Sequence, residues 1–138
     1  IFISKKVVID SFVKLKSVGG KGNIFIDEQS YINSGTVIYS GNGILIGKNV
    51  LIAANCTLAP VNHEFKSKHK LINEQRFQPS KGGIIIEDDV WIGSNTIILD
   101  GSVIQKGAVV CAGSLVNSNL PKYSVSKGIP AKVFRYRE

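Results

Sequence analysis

The sequence predicts an all-β solenoid, a chain that coils through short strands and tight turns in units of six residues. Three observations predict it. Aliphatic residues recur at every sixth position: Ile26, Ile32 and Ile38; Ile46, Ile52 and Leu58; and Ile86, Ile92, Ile98, Ile104, Val110 and Val116. Three residues further on stand Asn49, Asn55, Asp89, Asn95, Gly101, Gly107, Gly113 and Asn119, the types that enter the left-handed backbone region at least cost. Two residues before the aliphatic positions come Ser30, Thr36, Val50, Cys56, Val90, Thr96, Ser102, Ala108 and Ser114, small or β-branched residues suited to a narrow inner corner.

Each element follows from these positions. The aliphatic residue and its small partner face inward from a short strand, and the Asn, Asp or Gly turns the chain, so about 18 residues make one triangular coil that stacks on the last. A helix needs apolar spacings of three and four and tolerates glycine badly, which the 14 glycines argue against. The interval from Ile38 to Ile46 is eight residues, which places a two-residue insertion at SGNG, and GGKGN reads as the same insertion one coil earlier. The interval from Leu58 to Ile86 is 28 residues, so the segment after His63 leaves the coil as a long loop. One domain, 1–138, is expected: coils over about 8–63, an extruded loop at 64–83, coils at 84–121 and a terminal cap at 122–138 that shields the open strand edges.

Composition narrows the function. The chain has 43% hydrophobic and 20% charged residues and no apolar run near the roughly 20 residues of a bilayer span. IFISKKVVID lacks the order of a signal peptide, and Cys56 and Cys111 have neither disulfide-framework nor metal-ligand spacing. A reducing, cytoplasmic setting is the expectation. The formal charge of +7 is a bias toward an anionic partner, either nucleic acid or a phosphorylated cofactor, with a merely solvated basic surface as the default reading of the charge alone. A nucleic-acid surface should pair its basic residues with stacking aromatics in a groove or on a recognition helix, whereas these cations fall in one loop and near the C-terminus, so nucleic acid is not expected.

The segments IGKNVLIAANCTLAPVNHEF, IIIEDDVWIGSNTIILDGSVIQKGAVVCAGSLV and GIPAKVFR, with VWIG, CAGS and a GxPAKxxR ending, resemble the hexapeptide-repeat acyltransferases. Within them the likeness, over about residues 24–135, is to galactoside, maltose and cell-surface-sugar O-acetyltransferases. It implies a left-handed coil, acetyl-CoA as co-substrate, no metal, and a homotrimer with active sites between subunits. The first 17 residues do not match the helical segment of the galactoside type, which leaves the acceptor open.

The resemblance also implies roles. His63, at the junction of coil and loop, matches the catalytic base: an imidazole near pKa 6.5 can take the proton of a sugar hydroxyl as it attacks the thioester. His69 lies among lysines and is given no role, and two histidines are too few for the three-His zinc site of coiled carbonic anhydrases. Trp91 matches a wall of the acceptor site, with corner packing as the other reading. Asn33 matches an acceptor contact, and an ordinary turn Asn is equally consistent. The Ser94 N–H would meet the thioester oxygen. Gly93, Ala112 and Asn117 would line the pantetheine groove. Lys132, Lys127 and Arg135 would face the nucleotide phosphates, or else be plain exposed cations. The leading reading is sugar O-acetylation in bacterial cell-surface polysaccharide synthesis. N-acylation of an amino-sugar nucleotide or a drug is the alternative, and a non-enzymatic scaffold predicts a flat repeated Thr-x-Thr face that is absent.

Overall fold

The computed structural model describes residues 1–138. In chain order the first coil holds β1 (Phe2–Ile3), β2 (Val8–Ile9) and β3 (Lys14–Lys16), and the second β4 (Ile24–Ile26), β5 (Tyr31–Ile32) and β6 (Val37–Tyr39). The third holds β7 (Ile44–Ile46), β8 (Leu51–Ile52) and β9 (Thr57–Ala59), and the fourth β10 (Ile84–Ile86), β11 (Trp91–Ile92) and β12 (Ile97–Leu99). The fifth holds β13 (Ser102–Ile104), β14 (Val109–Val110) and β15 (Leu115–Val116), and β16 (Asn119–Leu120) opens a sixth. The chain then forms β17 (Ser124–Gly128) and β18 (Ala131–Tyr136).

Strands one coil apart pair in parallel, giving three flat sheets that close a left-handed triangular prism. Sheet one is β1-β4-β7-β10-β13-β16, sheet three is β3-β6-β9-β12-β15, and sheet two runs β2-β5-β8-β11-β14-β17-β18. All twelve six-spaced aliphatics are buried in one continuous core, where each full burial of an Ile or Leu contributes roughly 1.5–3 kcal/mol. The small inward positions also stitch the coils together. Buried Ser30 donates to the Gly47 carbonyl at 2.7 Å and accepts the Val50 N–H at 3.0 Å, and Thr36 bridges Ala53 and Cys56 in the same way.

The turns follow the expected pattern with one correction. Asn49, Asn55, Asp89 and Asn95 have φ of 56 to 59°, and Gly101, Gly107 and Gly113 are likewise left-handed. Asn119 is not a turn residue: it lies in β16, opposite Val103. Beyond Val116 the repeat is shortened, because the residue six positions on is Lys122, and Leu120 takes the inward place over Ile104 instead.

The N-terminal end differs as well. The stack begins at Phe2 rather than near residue 8, since Ile3, Ile9 and Leu15 carry the same six-residue spacing and pair with Ile26, Ile32 and Ile38. That register is offset by 23 residues, so the GGKGN segment inserts five residues rather than two. The two insertions nest, with the Gly22 N–H donating to the Gly41 carbonyl at 2.9 Å. At the other end the cap is a hairpin: β17 continues sheet two in parallel, and β18 folds back antiparallel along its edge. It covers the edge of sheet two, while sheets one and three end at β16 and β15. No helix is long and apolar enough to cross a membrane.

Candidate active site

The prism has three edges: the first joins sheet one to sheet two, the second joins two to three, and the third joins three back to one. His63 stands on the third edge, just past β9, where the chain leaves the coil. Its backbone forms an antiparallel bridge with Phe77, flanked by Gln78 N–H to Asn62 O at 2.9 Å and Glu64 N–H to Arg76 O at 3.0 Å. The Phe77 ring lies 4.9 Å from the imidazole at 36°. The loop is therefore clasped at its mouth and positions His63 directly.

The loop also organises itself. Gln75 accepts the Ser67 N–H at 3.0 Å and donates to the carbonyls of Ser67 and Lys70, after a single 3₁₀ turn at Ile72–Glu74. Glu64 accepts the N–H groups of Lys66 and Phe65, and these bonds hold its carboxyl below the usual carboxylate range. The return is anchored by Asp100, only 5% exposed, which accepts the N–H groups of Lys81 and Gly83 and the Asn42 amide. Residues 81–83 thus belong to the edge of the stack rather than to the loop. Neither Phe77 nor Asp100 was singled out by sequence; the Asp100–Gly101 dipeptide was the available turn signal.

The second edge carries Gly93, Ser94 and Ala112. The Gly93 backbone approaches coil five so closely that a Cβ there would lie 2.5 Å from the Ala112 nitrogen and 2.9 Å from the Val110 oxygen. Gly93 spends its own groups internally, its N–H on Val110 and its carbonyl on Thr96 and Cys56. Burial pushes the Cys56 thiol pKa up, which keeps it neutral and unreactive. Ser94 and Ala112 differ from Gly93: their N–H groups donate to nothing in the chain, as do those of Ser34 and Ala54 below them. The carbonyls of Ser34, Ala54 and Ser94 accept from Asn55, Asn95 and Gly113 of the coil above, so the four free donors form a column with a rise of about 4.8 Å. The first edge contrasts with this, because Asp27, Asp88, Glu87 and Gln105 cap the corresponding N–H groups of Glu28, Lys48, Lys106 and Lys122. On the second edge only Ser11 is capped, by Asp10.

Other expected site residues are not brought together within one chain. Trp91 starts β11 on sheet two and is 53% exposed beside Leu51 and Val109, on the face opposite the His63 edge rather than next to the loop. Asn33 lies on the second edge with its amide donated to the Ile52 carbonyl at 2.7 Å, the bond of a structural turn residue. Asn117 is on the third edge, across sheet three from Gly93 and Ala112. The terminal cations do meet. Lys127 and Lys132 are directly cross-strand in the hairpin, and the Lys127 ammonium and Arg135 guanidinium lie 4.4 and 5.8 Å from the Phe134 ring centroid. Like charges directly opposite repel, and the hairpin supplies no carboxylate to relieve them.

Comparison with known proteins agrees with this architecture. Residues 83–118 match the bacterial transferase hexapeptide (six repeats) family, and residues 32–60 the hexapeptide repeat of succinyl-transferase. A 2,3,4,5-tetrahydropyridine-2,6-dicarboxylate N-acetyltransferase of Staphylococcus aureus is 49% identical over 57 residues, 41% of this chain and 24% of that protein. The aligned part of this chain thus spans about a quarter of the length of such curated relatives. Among solved structures, a maltose O-acetyltransferase from Clostridium difficile superposes with a TM-score of 0.86 at 27% identity, over 99% of this chain and 70% of that one. A hexapeptide-repeat-containing acetyltransferase from Vibrio cholerae, also solved with acetyl-coenzyme A, gives 0.77 at 30% identity, over 95% and 73%. By repeat, fold and a 30% identity over 95% of its length to the Vibrio cholerae acetyltransferase, the chain belongs to the hexapeptide-repeat transferase family.

Proposed function

We propose that this protein is an acetyl-CoA-dependent O-acetyltransferase that acts on a sugar hydroxyl in bacterial cell-surface polysaccharide synthesis. The observation that carries the reading is the pair of uncapped N–H groups at Ser94 and Ala112, stacked on the edge where Gly93 allows close backbone approach. Donors fixed in this way suit the carbonyl groups of a pantetheine arm and the oxyanion that develops at a thioester. Lys127, Lys132 and Arg135, at the end of the same prism, suit the nucleotide phosphates.

In the proposed reaction the His63 imidazole takes the acceptor hydroxyl proton as its oxygen attacks the thioester carbonyl. The Ser94 N–H stabilises the resulting oxyanion. Collapse breaks the C–S bond, and the imidazolium returns its proton to the departing thiolate. His63 and Ser94 lie on edges separated by sheet three, roughly 15–20 Å of extended chain. That gap far exceeds the roughly 3 Å of a near-attack geometry, so in the proposed reaction the Ser94 edge of a second chain meets His63, a reading in keeping with a homotrimer with sites between subunits. The same arrangement brings a neighbour's Trp91 or Asn33 to the acceptor.

The N-acetyltransferase relative favours a second reading, transfer to an amine. The test is thiol release from acetyl-CoA by the purified protein against sugars and amino sugars. A sugar-dependent rate that falls roughly 10²–10⁴-fold in His63→Ala supports the proposal. Transfer only to amines selects the second reading, and no CoA binding at all would overturn both.

A further inference from the structure

We infer that Arg76 determines acceptor specificity by recognising an oxyanion, a phosphate or a carboxylate, carried on the acceptor. The inference rests on the acetyltransferase reading above, and four observations lead to it. Arg76 sits at the mouth of the loop, its carbonyl bonded to the Glu64 N–H and its chain neighbour Phe77 packed on His63. Its φ is 66°, a conformation that L side chains adopt only at a cost and that glycine would adopt freely. It is exposed and has no ion-pair partner, although Glu64 lies directly across the clasp, where opposite charges ordinarily pair. The Glu64 carboxylate is instead turned onto the N–H groups of Phe65 and Lys66, at 2.8 and 3.0 Å.

The counter-ion that the sequence supplies is thus spent on the loop's own backbone, and Arg76 is left unpaired at the clasp, one residue from the Phe77 that packs on His63. The surroundings reinforce the sign. Within the loop Lys66, Lys68 and Lys70 are exposed and unpaired, and the one other acid, Glu74, pairs with none of them. A guanidinium presents a planar fork that matches phosphate or carboxylate bidentately, which an ammonium does not. A neutral sugar offers such a fork only uncharged hydroxyl acceptors, which make the weaker bond.

The test separates this inference from its parent. Inorganic phosphate and glucuronate are titrated into the full chain while the His63 imidazole and Phe77 ring proton resonances are followed. At least one anion should shift them with a salt-sensitive midpoint, and the one that does identifies the source. Arg76→Gln should weaken that midpoint about tenfold, with CoA affinity unchanged, and Arg76→Lys should recover part of it. Arg76→Gly relieves the backbone, so it should raise the melting temperature slightly and still lose the anion response. In steady state, Arg76→Gln should raise KM for an anionic acceptor about tenfold and leave a neutral acceptor unaffected. Equal shifts in wild type and Arg76→Gln, or none in wild type, overturn the inference even if the protein transfers no acetyl group. An equal loss of CoA affinity overturns it by assigning the anion site to the cofactor.

Discussion

Gly93 and Ala112 meet backbone to backbone across two coils: no side-chain atom fits between them, because a Cβ on Gly93 would lie 2.5 Å from the Ala112 nitrogen. Gly93→Ala therefore forces coils four and five apart at a fully packed corner. The expected loss is about 1–3 kcal/mol, read as a lower melting temperature and weaker CoA binding together. An unchanged melting temperature would mean that the corner yields without cost.

Ser94 and Ala112 each precede a residue with positive φ, Asn95 at 58° and Gly113 at 71°, so each occupies the turn position that tolerates proline. Their N–H groups bond to nothing in the chain, so Ser94→Pro removes no hydrogen bond of the fold. The melting temperature should hold while acetyl transfer falls roughly 10²–10³-fold, the usual worth of one oxyanion donor. Ser94→Ala, which keeps the N–H, should stay near normal. If the two variants behaved alike, the backbone donor would have no part in the reaction.

The loop separates into two parts with different consequences. Residues 64–78 bond to one another and to the His63 clasp, so replacing them with a short Gly/Ser turn should change the melting temperature little and abolish most transfer. Residues 81–83 feed two N–H groups to the buried Asp100 carboxylate, and Asp100→Ala should destabilise the fold by about 1–3 kcal/mol. Thermal melts of both variants decide between these assignments; collapse of the 64–78 replacement would make the whole loop structural.

The opposed Lys127 and Lys132 give a charge test. Lys132→Ala should weaken CoA by roughly 1 kcal/mol or less in an exposed site, and should weaken a CoA lacking its 3′-phosphate less. Removing one of two repelling cations should also leave the free hairpin no less stable. Calorimetric titration of both ligands at two salt concentrations measures this, and equal losses would place Lys132 away from the phosphate.

Much of the fold was legible in the sequence because a solenoid is nearly one-dimensional. Whether Ile92 is buried depends on its place in a six-residue strand-and-turn unit, and Asn95 turns the chain by its own backbone preference. The sequence by itself therefore determined the coil, the turn positions, the loop and the junction at His63. It misjudged places where stacking overrides local spacing. Asn119 is drawn into a strand because Leu120, not Lys122, can be buried over Ile104, and the first coil is set by pairing with the second across an insertion longer than its glycines suggested. Only the tertiary structure decided which edge each site residue occupies. It put His63 opposite the face of Trp91 and across sheet three from Ser94, left one edge with uncapped donors, and turned Glu64 away from Arg76. These relations join residues far apart in the chain through the closure of three sheets, and no local periodicity carries that information.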